Sequence, residues 1–186
     1  MLAYDKYQSP HGPMLIAATS KGLAGVYFKG QKHFPKKRDW QRDMRHPVLR
    51  KARRELEEYF AGRRTRFEVP LDPQGTEFQR KVWKAIAKVG FGKTLTYGEL
   101  ARRAGHPGSA RAAGAATGRN PIGIIVPCHR IMGADGSLTG YAGGLARKRA
   151  LLALEGGDRG LPTAAPVQRP VKSGLRFSRN AATPSR

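Results

Sequence analysis

The chain reads as an α+β protein: an α/β N-terminal module, then a mainly helical C-terminal module carrying a helix-turn-helix and a Pro-Cys-His-Arg loop. Three observations predict this. Short apolar runs separated by turn residues fill positions 2 to 28, capping-box spacings open two helices after position 75, and a Pro/Gly-containing break at Asp72-Pro73-Gln74-Gly75 lies between the halves. The expected organisation is residues 1–72 as a supporting module, 73–157 as the functional domain and 158–186 as a basic, disordered tail.

In the first module, Met14–Ala18 and Leu23–Phe28 read as strands joined through the turn residues Ser20-Lys21-Gly22. Lys29 to Arg45 is strongly charged and poor in apolar residues, which predicts a solvated loop. Pro47 opens a helix whose apolar positions Leu49, Ala52, Leu56, Tyr59 and Phe60 recur near helical spacing until Gly62. Phe67 to Leu71 is expected to return as a strand. No catalytic constellation is visible in this module.

The second module opens at Thr76, whose spacing to Gln79 is that of a capping box, and Phe78, Val82, Ile86 and Val89 form an apolar stripe ending at Gly90. Trp83, beside that stripe, reads as core rather than as a platform for stacking bases. Thr96 and Glu99 repeat the capping pattern for a short helix through Ala104. After Gly105-His106-Pro107 a further helix runs from about Ser109 to Gly118, and the pair reads as a helix-turn-helix. Its second helix, Arg111-Ala112-Ala113-Gly114-Ala115-Ala116-Thr117-Gly118, carries one long side chain among small ones. Such a face cannot read many base edges, because direct readout needs forked polar side chains; it suits the minor groove, about 6 Å wide, with little sequence preference. Close packing of two helices would account for the small residues equally well.

Lysine and arginine number 35 against 13 acidic residues, a formal charge of +22. Self-repulsion on that scale points to a polyanionic partner, nucleic acid ahead of an anionic membrane surface. No apolar run is long enough to span a bilayer and Met1 to Ser9 lacks a signal-peptide core, so a soluble, cytoplasmic protein is expected. One cysteine excludes an internal disulfide and argues against a cysteine-based zinc site.

That cysteine, Cys128, lies in Ile124-Ile125-Val126-Pro127-Cys128-His129-Arg130. A thiol is strongly nucleophilic only as thiolate, and an adjacent base and positive charge are the usual means of reaching it. His129 and Arg130 supply both. A buried, inert cysteine is the competing reading.

The stretch Tyr97 to Gly156 resembles the O6-alkylguanine-DNA alkyltransferases through Asn120-Pro121, Pro127-Cys128-His129-Arg130, Gly140-Tyr141-Ala142-Gly143-Gly144 and Leu151-Leu152-Ala153-Leu154-Glu155-Gly156. Gly75-Thr76-Glu77-Phe78-Gln79 and Phe91-Gly92-Lys93 extend the likeness, and the N-terminal part matches loosely. The resemblance implies irreversible, single-turnover transfer of an alkyl group from O6-alkylguanine in double-stranded DNA to Cys128, with O4-alkylthymine a candidate second substrate. It implies a relay of Glu155, His129, water and Cys128, and Asn120 bracing the turn around the cysteine. Arg111 would enter the duplex in place of a nucleotide flipped out through the minor groove, with Ala112, Gly114 and Thr117 along the same helix and Tyr97 pressing on the backbone. Tyr141, Ala142 and Gly143 would border the extruded base, Arg130 would be a further substrate- or DNA-binding residue, and carbonyls near Cys128 and Ile131 would accept the base's amino group. Some relatives have serine where Ala142 stands, so that donor is absent. Some also hold a structural zinc; His11, His33 and His46 do not replace its ligands, and neither metal, cofactor nor obligatory protein partner is expected of what should be a monomer.

Independently of the resemblance, Glu155 falls in the last turn of a helix from about Leu145 to Gly156, where the dipole disfavours a carboxylate, so a pairing partner is expected. Against the alkyltransferase stand a non-catalytic helix-turn-helix regulator, which leaves His129, Asn120 and Glu155 without a role, an alkyltransferase-like binder, which would lack the cysteine, and a cysteine hydrolase, which rarely carries such a charge.

Overall fold

A computed structural model describes residues 1–36 and 39–156. The first part is a four-stranded sheet of order β3-β2-β1-β4, with β1 Ala3–Ser9, β2 Gly12–Ala18, β3 Leu23–Phe28 and β4 Gln41–Arg42. β1–β2 and β2–β3 are antiparallel, whereas the two-residue β4 joins β1 in parallel at Ala3 and Tyr4. β1 escapes sequence reading because its inward positions are Asp5, Tyr7 and Ser9, so polar residues stand where apolar alternation is sought. Asp5 is buried against Arg53 and Arg42, both of which it pairs with.

Helix α1, Pro47–Phe60, lays Leu49, Ala52, Leu56 and Tyr59 against the sheet and ends before Gly62, whose φ is +71°. The strand expected over Phe67–Leu71 does not form. Glu55 on α1 takes the amide protons of Glu68 (2.9 Å) and Val69 (3.1 Å), and Pro70 has none, so only one bridge, Leu23 to Leu71, reaches β3.

The helical part contains α2 (Glu77–Ala87), α3 (Tyr97–Arg103), α4 (Ala110–Gly118) and α5 (Leu145–Leu154). The Thr76–Gln79 capping box is present in both directions and Thr96 caps α3 through the Glu99 amide. Trp83 is core: it is buried and its indole N–H donates to the Ala116 carbonyl at 2.8 Å, fastening α2 to α4. A parallel pair of two-residue strands, β5 (Leu95–Thr96) and β6 (Ile131–Met132), sets the start of α3 beside the chain that leaves Cys128. One apolar core, from Ile16, Phe28 and Leu56 to Ile86, Ile122 and Leu151, runs through both parts. The tail expected over residues 158–186 lies outside the described residues, as does the end of the preceding segment at 157.

Candidate active site

Cys128 begins a single turn of 3-10 helix, Cys128–Arg130, at the end of an irregular loop from Asn120. Asn120 holds that loop: its side-chain N–H donates to the Val126 carbonyl at 2.8 Å and to Cys128 Sγ at 3.2 Å, and its Oδ1 accepts the Ile122 amide at 3.0 Å. The side chain therefore serves the loop rather than capping α4, whose C-cap is Arg119. Ile124 within the loop has φ +70°, a strained conformation for a β-branched residue.

His129 is fully buried and its Nε2 lies 2.7 Å from Glu155 Oε1. Burial works to raise the Glu155 carboxyl, but hydrogen bonds and charges from His129 and Arg130 outweigh it and bring it down to about 2. An ionised carboxylate only accepts, so Nε2 carries the ring proton and Nδ1 is the basic nitrogen. Nδ1 has no protein partner among the described residues. Burial lowers the His129 value, leaving the ring neutral near pH 7. Burial also pushes the Cys128 thiol up, against the Asn120 hydrogen bond and the Lys148 charge. The resting pair is thus a protonated thiol followed in the chain by a neutral imidazole, an arrangement that can supply a nucleophile and a base.

Glu155 sits at the C-cap of α5 and has the partners its position demands. Arg130 grips it with Nε to Oε2 at 2.8 Å and Nη2 to Oε1 at 2.9 Å, while Nη1 donates to the Val89 carbonyl. The sequence reads Arg130 as a substrate- or DNA-binding residue; instead its guanidinium is buried, because Glu155 would otherwise be an uncompensated charge in the core. Thr117 is a second correction. It is buried on the inner side of α4 and its hydroxyl donates to the Ala113 carbonyl at 2.7 Å, so it faces the core and not a groove.

Arg111 and Ala112 are exposed on α4, and half-buried Gly114 faces the Tyr97 ring, where an added Cβ would lie 3.5 Å from Cδ1. The Tyr97 hydroxyl donates to the carbonyls of Thr139 (3.2 Å) and Gly140 (3.3 Å), closing the 139–144 loop over α3. In that loop Tyr141 is half-buried, and burial raises its phenol well above the ordinary value. Gly143 is closely packed: a Cβ would stand 2.7 Å from Tyr141 Cε1 and 3.2 Å from Phe28 Cδ2, so one of these rings would have to shift. The Ala142 carbonyl accepts the Lys32 amide at 3.0 Å, and Arg147 spans Gly143 O (2.9 Å) and His11 O (3.0 Å). The carbonyls near the thiol already have one partner each: Ile131 N–H donates to Cys128 O, and Lys148 donates to Ile131 O.

Sequence reading missed two residues of this centre. Lys148 is buried on α5, donates also to Thr139 O at 2.7 Å, and is lowered to about 8 by burial. The signal was present: Lys148, Leu151, Leu152 and Glu155 share one face at helical spacing, so a lysine stood on an inward row. The other is Tyr59, whose hydroxyl donates to Glu155 Oε1 at 2.7 Å and which reads in sequence only as part of an apolar stripe.

Among the described residues no helix is long and apolar enough to cross a membrane, and no His, Cys, Asp and Glu group is arranged to hold a metal ion.

Two family models match the chain. The 6-O-methylguanine DNA methyltransferase ribonuclease-like domain covers residues 2–73, and the DNA-binding domain of the same name covers residues 77–157. A methylated-DNA–protein-cysteine methyltransferase of Methanosarcina acetivorans is 49% identical over 154 residues, 82% of this chain and 97% of the relative. One of Mycobacterium tuberculosis is 47% identical over 155 residues, covering 83% and 93%. The crystal structure of the M. tuberculosis O6-methylguanine methyltransferase superposes with a TM-score of 0.77 at 45% identity over 88% of this chain and 97% of that chain. That of M. tuberculosis OGT in complex with DNA gives 0.76 at 46% identity, over 82% and 92%. Agreement at this level along nearly the full length of these relatives means that the chain belongs to the methylated-DNA–protein-cysteine methyltransferase family.

Proposed function

We propose that this protein repairs double-stranded DNA by moving the alkyl group of O6-alkylguanine onto its own Cys128, once per molecule. A methyltransferase of this family delivers methyl to a cysteine of the protein, and this chain has a single cysteine. That observation carries the reading. The surroundings support it: Asn120 donates to the sulfur, and the His129–Glu155 pair leaves Nδ1 as the free base.

In the reaction, His129 Nδ1 takes the Cys128 proton through an intervening water, and Glu155 stabilises the imidazolium that results. The thiolate attacks the methyl carbon in line with the C–O6 bond. An S–C bond forms as C–O6 breaks, the electron pair stays with guanine, and a proton returns to the base. The thioether is not hydrolysed under cellular conditions, so the protein is consumed. The alkyl donor is the lesion itself and the step requires no cofactor.

The lesion must leave the stack, at a few kcal/mol. Arg111, exposed at the start of α4, takes the place of the flipped nucleotide while Ala112 and Gly114 allow close approach to the minor groove, and Tyr97 and Tyr141 border the extruded base. The protein acts as a monomer, with residues 1–72 supporting the acceptor site and 73–157 holding it.

Incubation with duplex O6-methylguanine DNA tests this by intact-protein mass spectrometry. One added CH2 unit per chain, located on Cys128 and absent in Cys128→Ala, is expected. More than one lesion repaired per molecule, or a methyl found elsewhere, refutes it. The regulator alternative predicts that Cys128→Ala retains full function.

A further inference from the structure

Tyr59 takes no part in the reaction above, yet it touches the relay. It lies on α1 in the N-terminal part, 96 positions before Glu155, and donates to Oε1 at 2.7 Å. Its ring is held edge-on or tilted against Phe60 (5.3 Å), Phe67 (5.4 Å) and Phe91 (6.3 Å), so an apolar body is packed in the core and one polar tip faces one acceptor. Burial and the Glu155 charge raise the phenol far above its usual range, which keeps it a donor throughout the working pH range.

Glu155 Oε1 therefore receives three donors, from Tyr59, His129 and Arg130. Oε2 receives Arg130 Nε and, at 3.4 Å, the Gly92 amide. Three donors compete for the two lone pairs of this one oxygen, so each weakens the hold of the others.

We propose that Tyr59 is a positioning residue for methyl transfer: its hydroxyl orients Glu155 Oε1 and limits how tightly that oxygen holds the His129 proton. This rests on Cys128 as acceptor and His129 as its base. It gives the N-terminal part a direct hand in the chemistry. The other charged or titratable groups around the pair are Arg130, Lys148, Tyr141 and Cys128, and Tyr59→Phe removes none of them. A tyrosine kept purely for packing would lose nothing in Tyr59→Phe.

The single cysteine makes the test clean, since iodoacetamide labelling of the full-length protein reads Cys128 alone. Labelling rate and single-turnover methyl transfer from duplex O6-methylguanine DNA are both measured against pH. Without the competing donor Oε1 binds the imidazolium more strongly, and the acid limb of both profiles moves to higher pH by about half a unit or more. Replacing Tyr59 with fluorotyrosine, a more acidic phenol and stronger donor, moves the limb the other way. Tyr7→Phe, which removes another buried phenol oxygen from the same module, leaves it unmoved.

Superimposable profiles for Tyr59→Phe and wild type, or an equal displacement by Tyr7→Phe, overturn the proposal. Should circular dichroism show Tyr59→Phe unfolded, the fluorotyrosine protein decides, an unmoved limb counting against. Wild-type protein that labels with iodoacetamide but takes no methyl from DNA defeats the functional reading instead, and the labelling profiles still judge Tyr59.

Discussion

Replacing Arg130 by methionine separates a buried structural cation from an exposed DNA contact. The substitution keeps the unbranched stem and removes two hydrogen bonds to Glu155, at 2.8 and 2.9 Å, together with the donor to Val89. Removing one partner of a buried pair costs about 3–5 kcal/mol, because the remaining charge is left without compensation. Glu155 would keep His129, the Tyr59 hydroxyl and the longer Gly92 contact, which places the loss at the lower end, about 3 kcal/mol. For a chain of this size that amounts to a fall in Tm of about 6–12 °C. Thermal unfolding followed by circular dichroism at neutral pH measures it. An exposed phosphate contact behaves otherwise: stability stays within about 0.5 kcal/mol, DNA affinity drops, and the slope of log affinity against log salt shrinks by about one. An unchanged Tm with a shallower salt slope would therefore refute the inward placement. Adding Glu155→Gln to Arg130→Met should cost less than the sum of the single changes, since the second removes the charge the first exposed.

Gly143→Ala drives a Cβ to 2.7 Å from Tyr141 and 3.2 Å from Phe28, so the base-facing wall must shift; methyl transfer should slow about tenfold or more, about 1.4 kcal/mol in barrier, and an unchanged single-turnover rate would mean the wall yields freely. Arg111→Ala, at an exposed site, should leave Tm unaltered and reduce transfer from duplex DNA while sparing transfer from the free base O6-methylguanine; equal losses on both substrates would contradict a role in nucleotide flipping. Glu155 and His129 both have folded-state values below their unfolded ones, so the unfolded chain binds more protons and stability falls with falling pH. The loss begins below 6.5, where unfolded histidine charges, and continues from 4.5 toward about 2, where Glu155 is protonated; denaturant midpoints across pH should show Glu155→Gln losing the lower step, and a midpoint independent of pH would contradict the assignment.

The helices were legible because their signals are local. Thr76 with Gln79, Pro47 at a first turn and the small-residue run after Arg111 each act within a few residues. The one thiol of the chain was legible too, with a histidine next to it in the sequence. What the sequence hid was the direction of polar side chains near that thiol. Arg130 follows Cys128 and His129 in a basic chain and looks like one more DNA contact, but a buried carboxylate 25 positions later reverses its direction. Thr117 lies on a helix whose small residues suit a groove, but it is buried and its hydroxyl is spent on the Ala113 carbonyl. Tyr59 and Lys148 occupy apolar rows, where their polar tips are invisible until the partner from a distant segment is known. β1 failed for a related reason, since Asp5 reads as solvent-facing unless Arg53 on α1 is already placed over it.

The sheet also acts on the acceptor loop from the opposite side. β3 is an edge strand, and its outer edge is taken by the loop that ends in Cys128: the Val26 amide donates to Pro121 O at 2.8 Å and Val26 O accepts the Gly123 amide at 3.1 Å. Immediately beyond, Ile124 holds φ +70°, a conformation that costs on the order of 1–3 kcal/mol and persists only where the surroundings over-determine it. β3 on one side and Asn120 on the other supply that constraint, gripping the loop at Pro121, Gly123 and Val126, between two and seven positions before the sulfur. The N-terminal part thus holds the loop before Cys128 by backbone pairing at Val26, and the carboxylate that pairs with His129 by the Tyr59 hydroxyl. An acceptor loop separated from that sheet would lose the clamp and relax at Ile124, which would misdirect Cys128 before any residue of the relay was changed.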